Sequence, residues 1–199
     1  MKIELVNIGK KYNRNWIFKG LNFIVESGDL VSITGHNGSG KSTLLQIISG
    51  FNTPSKGSVT YTPVSPDIQT SFAFVAPYQH VIEEFTLVEH LEFHSQFKQP
   101  LRSFPEIIEQ SGLIGSEQKI IKEFSSGMKQ RLRLALAFFF DSKLILLDEP
   151  TSNLDKSGEE WYQNLILQFK GSKTIIIASN QDFEIKEATK NIFIENFKQ

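Results

Sequence analysis

Cysteine is absent from the 199-residue sequence. The chain therefore forms no disulfide and offers no thiolate for catalysis or metal binding, which fits a reducing compartment such as the cytosol. An excess of either charge is also lacking, since 21 Lys and Arg residues accompany 22 Asp and Glu residues and give a net charge of −1. Without a global basic field, we expect no direct binding to nucleic acid or to an anionic membrane surface.

Long hydrophobic runs are missing as well. The longest, Leu134 to Phe140, is far shorter than the roughly 20 apolar residues that span a bilayer. The first residues, Met1 to Ile8, carry charges at Lys2 and Glu4 and do not resemble the apolar core of a secretory signal. We therefore expect a cytoplasmic chain that reaches a membrane only through a protein partner.

Short β-branched runs alternate with helical patterns along most of the chain. The clearest runs are Leu30 to Thr34, Lys143 to Leu147 and Thr174 to Ala178. Because a helical pattern follows each run, they predict an α/β domain whose mainly parallel sheet is buried on both faces. The length fits a single domain that comprises residues 1–199.

Two regions depart from this alternation. Met1 to Val25 and Gly57 to Thr62 alternate apolar and polar residues, which predicts a smaller antiparallel β layer. The region of about 81–140 is helical in pattern, and a capping box at Thr86 and Glu89 predicts its first helix. We interpret this region as a helical subdomain inserted in the α/β core.

A glycine-rich segment follows the first buried run. It fits the P-loop pattern G-x-x-x-x-G-K-[ST] and lies between a predicted strand and a predicted helix. The glycines let successive N–H groups point at phosphates, and the helix adds the positive end of its dipole. Lys41 would reach the β- and γ-phosphates of ATP, Ser42 would bind Mg²⁺, and Thr43 would approach the α-phosphate. The predicted nucleotide-binding residues here are Gly35, His36, Asn37, Gly38, Ser39, Gly40, Lys41, Ser42 and Thr43.

An acidic pair, Asp148 and Glu149, ends the buried run that begins at Leu144. Carboxylates at the end of a buried strand are costly unless they face a cation or water, and the P-loop would supply such a place. In this P-loop NTPase interpretation Asp148 holds Mg²⁺ and Glu149 polarises the attacking water as general base.

A third segment, Phe124 to Arg131, lies between these two motifs. It resembles the signature loop of ATP-binding cassette (ABC) proteins, and the order of the three motifs is that of this family. The resemblance covers nearly the whole chain. It implies that Ser125, Ser126, Gly127 and Met128 serve an ATP held by a partner subunit, although Ser126 and Met128 replace the family's glycine and glutamine. On residue type alone, Ser125 and Ser126 also fit an ordinary helix N-cap.

The resemblance implies two further contacts. Tyr12 takes the position of the aromatic ring that stacks on adenine, with Trp16 and Phe18 as nearby alternatives. Asp155 belongs to the loop that crosses the dimer interface, or else caps the following helix.

Two further positions differ from the family pattern. The glutamine expected to contact Mg²⁺ and the attacking water is assigned to Gln79, which comes later than the family spacing. Asn180 stands where the family has a histidine that senses the γ-phosphate; an amide donates a hydrogen bond but carries no proton at neutral pH. Ser179 and Gln181 are the alternatives for this role.

The resemblance therefore implies an ATP- and Mg²⁺-binding ATPase subunit of an ABC transporter. It would form a homodimer or heterodimer around two ATP molecules and drive membrane-spanning partner subunits, peripheral on the inner face of the cell membrane. The segment from Tyr78 to Phe85 is the expected docking surface for such a subunit. A soluble ABC ATPase acting on a macromolecule and a small-molecule kinase are the rival functions. His90 and His94 suggest a metal pair or, since no third ligand is placed, a solvated helix face.

Overall fold

The structure is a computed structural model that describes residues 1–63, 71–77 and 79–198. Within these residues, eight strands form two sheets, and six α-helices pack around them. The strands are β1 (Lys2–Tyr12), β2 (Asn15–Val25), β3 (Leu30–Thr34), β4 (Lys56–Thr62), β5 (Phe72–Val75), β6 (Leu144–Asp148), β7 (Thr174–Ala178) and β8 (Lys190–Phe193). The helices are α1 (Lys41–Ile48), α2 (Leu87–Ser95), α3 (Phe104–Gln110), α4 (Ser126–Phe138), α5 (Lys156–Phe169) and α6 (Asp182–Ile185).

The larger sheet is parallel and has the strand order β5-β6-β7-β3-β8. Every residue of β6 and β7 is buried, as expected for strands covered on both faces. Because all five strands run the same way, the residues that follow β3, β6 and β7 meet at one edge of the sheet. The predicted parallel α/β core is confirmed.

The smaller sheet is antiparallel, with the order β2-β1-β4. It confirms the antiparallel layer predicted from Met1 to Val25 and Gly57 to Thr62. Gly57 has a positive φ of 84°, and a Cβ there would collide with the carbonyl oxygens of Val6 and Asn7 on the neighbouring strand. Only glycine therefore lets β4 approach β1 at this point.

The segment between β5 and β6 contains α2, α3, α4 and a 3₁₀ turn at Ile121–Glu123. The capping box predicted at the start of α2 is present, because the side chain of Thr86 accepts from the N–H of Glu89 while the Glu89 carboxylate accepts from the N–H of Thr86. The prediction of a helical insertion in the α/β core is confirmed. Among the described residues, no helix has both the length and the apolar character needed to cross a bilayer.

Two hydrophobic clusters lie on opposite faces of the parallel sheet. One joins the sheet to α1 and to the antiparallel layer through residues such as Ile3, Phe18 and Leu44. The other joins it to the helical insertion and to α5 through residues such as Phe138 and Tyr162. This two-sided burial fixes the sheet, and with it the edge at which β3, β6 and β7 end.

Candidate functional site

The loop between β3 and α1 forms a cradle of backbone groups. Gly35, Gly38 and Gly40 have positive φ values of 145°, 76° and 111°. A Cβ on Gly40 would lie 2.6 Å from Cγ2 of Ile17, so this position has no room for a side chain. Helix α1 begins with no side-chain cap and no acidic residue in its first turn. Its first N–H groups therefore remain available to an anionic ligand.

Lys41 lies at the base of this cradle and is buried. Its Nζ donates to the carbonyl oxygen of Gly35 at 2.8 Å. Burial lowers the pKa of Lys41, and the charges of Glu149, Asp148 and Glu195 oppose this shift. A partly desolvated ammonium gains more from a phosphate than an exposed one does, because less water has to be removed from it.

Asp148 is the last residue of β6 and is 7% exposed. Burial raises the pKa of its carboxyl group; the hydrogen bond from Ser42 and the charge of Lys41 oppose this, while the charge of Glu149 adds to it. Ser42 and Asp148 therefore bring two oxygen ligands together, which is the donor type that Mg²⁺ prefers. A cation at this point would relieve the burial of the carboxylate, so these residues fit the ion.

A cleft of about 220 Å³ opens above these groups. Ser39, within the loop, is fully buried, and its Oγ has no hydrogen-bond partner within the described part of the chain. Ile17, which the sequence did not single out, is apolar and forms part of the wall. The cleft is lined by Ile17, Asn37, Gly38, Gly40, Lys41, Ser42, Thr43 and Glu149. The structure thus brings together the P-loop and the acidic end of β6, as predicted from the sequence.

Glu149 leaves β6 with a positive φ of 46°, which is unusual for a residue with a Cβ. Its N–H donates to the carbonyl oxygen of Ala178 at the end of β7, and its side chain is exposed and lines the cleft. The strained turn points an acceptor toward the phosphate cradle, where the predicted general base is required.

Asn180 follows β7 and contacts the P-loop directly. Its Nδ2 donates to Oδ1 of Asn37 at 2.8 Å. Of the alternatives, Ser179 is fully buried and its Oγ accepts from the N–H of Gln181. Asn180 is therefore the residue of this segment whose side chain reaches the cradle.

The signature-like segment does not line the cleft of its own chain. Ser125 caps α4 by accepting from the N–H of Met128 at 3.2 Å, and Ser125 and Ser126 are both exposed. Gly127 packs against the loop that carries Asn153, whose carbonyl oxygen would lie 3.1 Å from an added Cβ. The N-cap alternative is thus realised at Ser125, while the role of these four residues toward a partner's ATP stays a prediction.

Two other predicted contacts also lie outside this cleft. Tyr12, at the end of β1, is 50% exposed, and its hydroxyl accepts from Nδ2 of Asn52. Asp155 caps α5 by accepting from the N–H of Gly158 at 2.8 Å and from the hydroxyl of Ser157. These hydrogen bonds lower the pKa of the Asp155 carboxyl. Adenine stacking at Tyr12 and an interface role for Asp155 remain predictions.

Gln79 lines a different cavity, of about 380 Å³, between β5 and the helical insertion. It is not among the residues that line the phosphate cleft, so its assignment to Mg²⁺ is carried by sequence alone. Tyr78, at the start of the expected docking segment, lies outside the described residues.

His90 and His94 line this second cavity as well. His90 is 6% exposed, so the expected solvated helix face was wrong for it: α2 packs this side against the cavity and Phe85. Burial lowers the pKa of both imidazoles, that of His94 to about 4. No group of three or more His, Cys, Asp or Glu side chains suited to a metal occurs in residues 1–63, 71–77 and 79–198.

Comparison with known proteins decides the family. The family model described as ABC transporter matches residues 18–152. The ABC transporter ATP-binding protein YybJ of Bacillus subtilis is 31% identical over 191 residues, which cover 92% of this chain and 87% of that protein. The chain belongs to the ABC transporter family. Membership confirms the predicted ATP-binding, ATP-hydrolysing cassette.

Other ABC relatives are longer than this chain. The Nod factor export ATP-binding protein I of Rhizobium meliloti is 32% identical over 190 residues, covering 89% of this chain and 56% of that protein. ATP-binding cassette sub-family A member 7 of Rattus norvegicus is 30% identical over 174 residues, covering 81% of this chain but only 8% of that protein. The chain therefore spans a small part of several curated relatives.

Solved structures share the fold. An ABC transporter ATP-binding protein from Pyrococcus furiosus superposes with a TM-score of 0.85 at 22% identity, and the match covers 100% of both chains. The dimeric, post-hydrolysis ATP-binding cassette MJ0796 bound to ADP and Pi gives a TM-score of 0.82 at 24% identity, covering 96% of this chain and 93% of that one.

Replacing Lys41 with alanine should weaken ATP binding at least about tenfold, since it removes the buried ammonium predicted to face the β- and γ-phosphates. Isothermal titration calorimetry with the parent and Lys41→Ala proteins measures this. Lys56→Ala, on exposed β4, is the matched control and should bind ATP like the parent. Equal affinity of the Lys41→Ala protein and the parent would contradict the assigned cradle.

Asn180→Ala should lower the ATPase rate by about tenfold or more at saturating Mg-ATP, if its amide donates to the γ-phosphate more strongly in the transition state. Asn180→His should retain or raise the rate and add a pH dependence near the ordinary imidazole pKa of about 6.5. A pH–rate profile of the three proteins tests both expectations. If the alanine variant matches the parent at every pH, the role belongs to Ser179 or Gln181.

Proposed function

We propose that this chain is the ATP-hydrolysing subunit of an ABC transporter, which dimerises around two Mg-ATP molecules and drives membrane-spanning partner subunits. One observation carries the proposal. The cradle, Ser42 and Glu149 line one cleft, and Asp148 is joined to this cleft by its hydrogen bond with Ser42, whereas the signature-like residues of the same chain do not line it. One chain thus supplies the phosphate cleft, while Ser125 and Ser126 of its signature-like segment are exposed to solvent, where a second subunit could use them.

The described residues divide the work of hydrolysis. Lys41 and the N–H groups at the start of α1 hold the phosphates. Ser42 and Asp148 would hold Mg²⁺, which neutralises phosphate charge when it is bound. Glu149 accepts the proton of the attacking water, and Asn180 orients the γ-phosphate through its amide.

Dimerisation completes this site. Ser125 is exposed at the start of α4, with the positive end of the helix dipole behind it. In a two-fold arrangement the same segment of a second copy, or of a homologous chain, would face the γ-phosphate. The dimeric state of the cassette MJ0796, whose fold this chain shares, supports the arrangement.

The second cavity is the proposed docking surface for a membrane-spanning subunit. Exposed aromatic rings form its mouth: Phe51 is 64% and Phe93 42% exposed, and Phe51 packs edge-on against Phe74 at 5.7 Å. Lys98 and Arg133 also line it, and none of the described lining residues is acidic. An apolar segment with a hydrogen-bond acceptor would fit this surface. Such docking would place the chain on the inner face of the cell membrane.

Glu149→Gln should keep ATP binding, nearly abolish hydrolysis and accumulate an ATP-bound dimer, because the amide keeps the shape of the side chain but accepts no proton. Gel filtration with Mg-ATP and a phosphate-release assay measure both effects. Glu159→Gln, on α5, is the control for the charge change. A Glu149→Gln protein that stays monomeric while the parent hydrolyses ATP would count against a dimer that encloses two ATP molecules.

Phe93→Asp should prevent docking while leaving the ATPase rate of the isolated chain within about twofold, because the ring lies on the second cavity and outside the phosphate cleft. Leu167→Asp, on α5 and 54% exposed, is the matched control. The assay is co-purification with a co-expressed candidate membrane-spanning subunit, chosen from chains encoded by neighbouring genes. Equal recovery with both variants would move the docking surface elsewhere, and no recovery with the parent would favour a soluble ABC ATPase.

A further inference from the structure

A buried carboxylate connects the two loops that form the far side of the phosphate site. Glu184 belongs to α6, just after β7, and is 3% exposed. Its Oε1 accepts from the N–H of Thr151 at 2.8 Å and also from the hydroxyl of Thr151. Thr151 follows the acidic end of β6 and is itself 8% exposed. The segment after β7 therefore holds the segment after β6 through one side chain.

Because Glu184 is buried, its carboxylate depends on nearby hydrogen-bond donors. Burial raises the pKa of its carboxyl group, the hydroxyls of Ser179 and Thr151 and the N–H of Thr151 oppose the shift, and the charge of Glu149 adds to it. A carboxylate placed here is stabilised only if its donors stay in position. The coupling to Glu149 also shows that Glu184 lies within electrostatic range of the general base.

Thr151 is two residues beyond Glu149, and both backbone polar groups of Glu149 form hydrogen bonds. The N–H of Glu149 donates to the carbonyl oxygen of Ala178, and its carbonyl oxygen accepts from the N–H of Ser152. Thr151 adds a third tie, through Glu184. Because Glu149 has the strained φ of 46°, its turn needs such ties to persist.

A cavity of about 350 Å³ joins these residues to the catalytic groups. Glu149, Thr151, Asn180 and Glu184 all line it, together with Asn37 of the P-loop. Glu184 thus stands behind the proposed general base and the γ-phosphate residue, but it does not line the phosphate cleft itself. Its position suits a support for reacting groups and not a direct contact with ATP.

We propose that Glu184 is a positioning residue for ATP hydrolysis: through Thr151 it fixes the loop after β6 so that Glu149 keeps its orientation relative to Asn180. The inference rests on the proposed hydrolytic function. Its basis is hydrogen-bond geometry, so an amide carbonyl at the same position can replace the carboxylate oxygen. A residue that served only the stability of the fold would not change kcat in the folded protein.

Glu184→Ala should lower kcat by about tenfold or more while the KM for ATP and the calorimetric ATP affinity stay within about threefold, because the Lys41 cradle is untouched. Glu184→Gln should recover most of the rate, since its Oε1 still accepts from Thr151. Glu187→Gln, a partly exposed ion-pair partner of Lys170 on the same segment, is the matched control and should hydrolyse ATP like the parent. Steady-state kinetics are measured well below the melting temperature of each variant.

Three results would overturn the proposal: a folded Glu184→Ala protein with the parent's kcat, a Glu184→Gln protein as slow as the alanine variant, or equal losses of kcat and ATP affinity. If Glu184→Ala does not fold, Thr151→Val decides, because it removes the hydroxyl donor and keeps the N–H. It should lower kcat about two- to fivefold at unchanged affinity, and an unchanged kcat rejects the proposal. An inactive parent would reject the hydrolytic function itself, a distinct outcome.

Discussion

The parallel pairing of β3, β7 and β6 is the constraint on which the site depends. The N–H of Ser179 donates to the carbonyl oxygen of Ile33, and the N–H of Glu149 donates to that of Ala178. These bonds continue the sheet ladder one step past the strands and tie together three loops that are far apart in sequence. Because both faces of the sheet are covered by apolar clusters, none of these strand ends can shift alone.

Local patterns were enough to predict the parts of the site that depend on neighbouring residues. The P-loop has its own glycine geometry, and the acidic pair follows a strand whose apolar run is visible in the sequence. Contacts between residues far apart in the chain leave no comparable pattern in the sequence. Glu184 and Thr151 are 33 residues apart, and neither their spacing nor their type marks them as partners. Gln79 was assigned by order along the chain, and its neighbours proved to be those of the second cavity.

Residue type also gave a wrong expectation of solvent exposure on α2. His90 and His94, beside Glu89 and Glu92, looked like a polar helix face. Tertiary packing instead turned the imidazoles toward Phe85 and Phe140. Periodicity shows which residues share a face of α2, but the partner that covers this face comes from a distant segment. The same limit applies to Ile17, which entered the cleft because β2 passes beside Gly40.

The contact between Asn180 and Asn37 bears on the role proposed for Asn180. The Asn180 amide donates one hydrogen bond to Oδ1 of Asn37 at 2.8 Å, so the P-loop and the segment after β7 are already joined in the structure. A γ-phosphate that takes the Asn180 amide must compete with Asn37, and part of the binding energy offsets the lost bond. An imidazole would add a titratable group at this position, whereas the amide pair responds only to the ligand. If Asn180 contacts the γ-phosphate as proposed, it would do so by exchanging one neutral hydrogen bond for another, with no change in its own protonation.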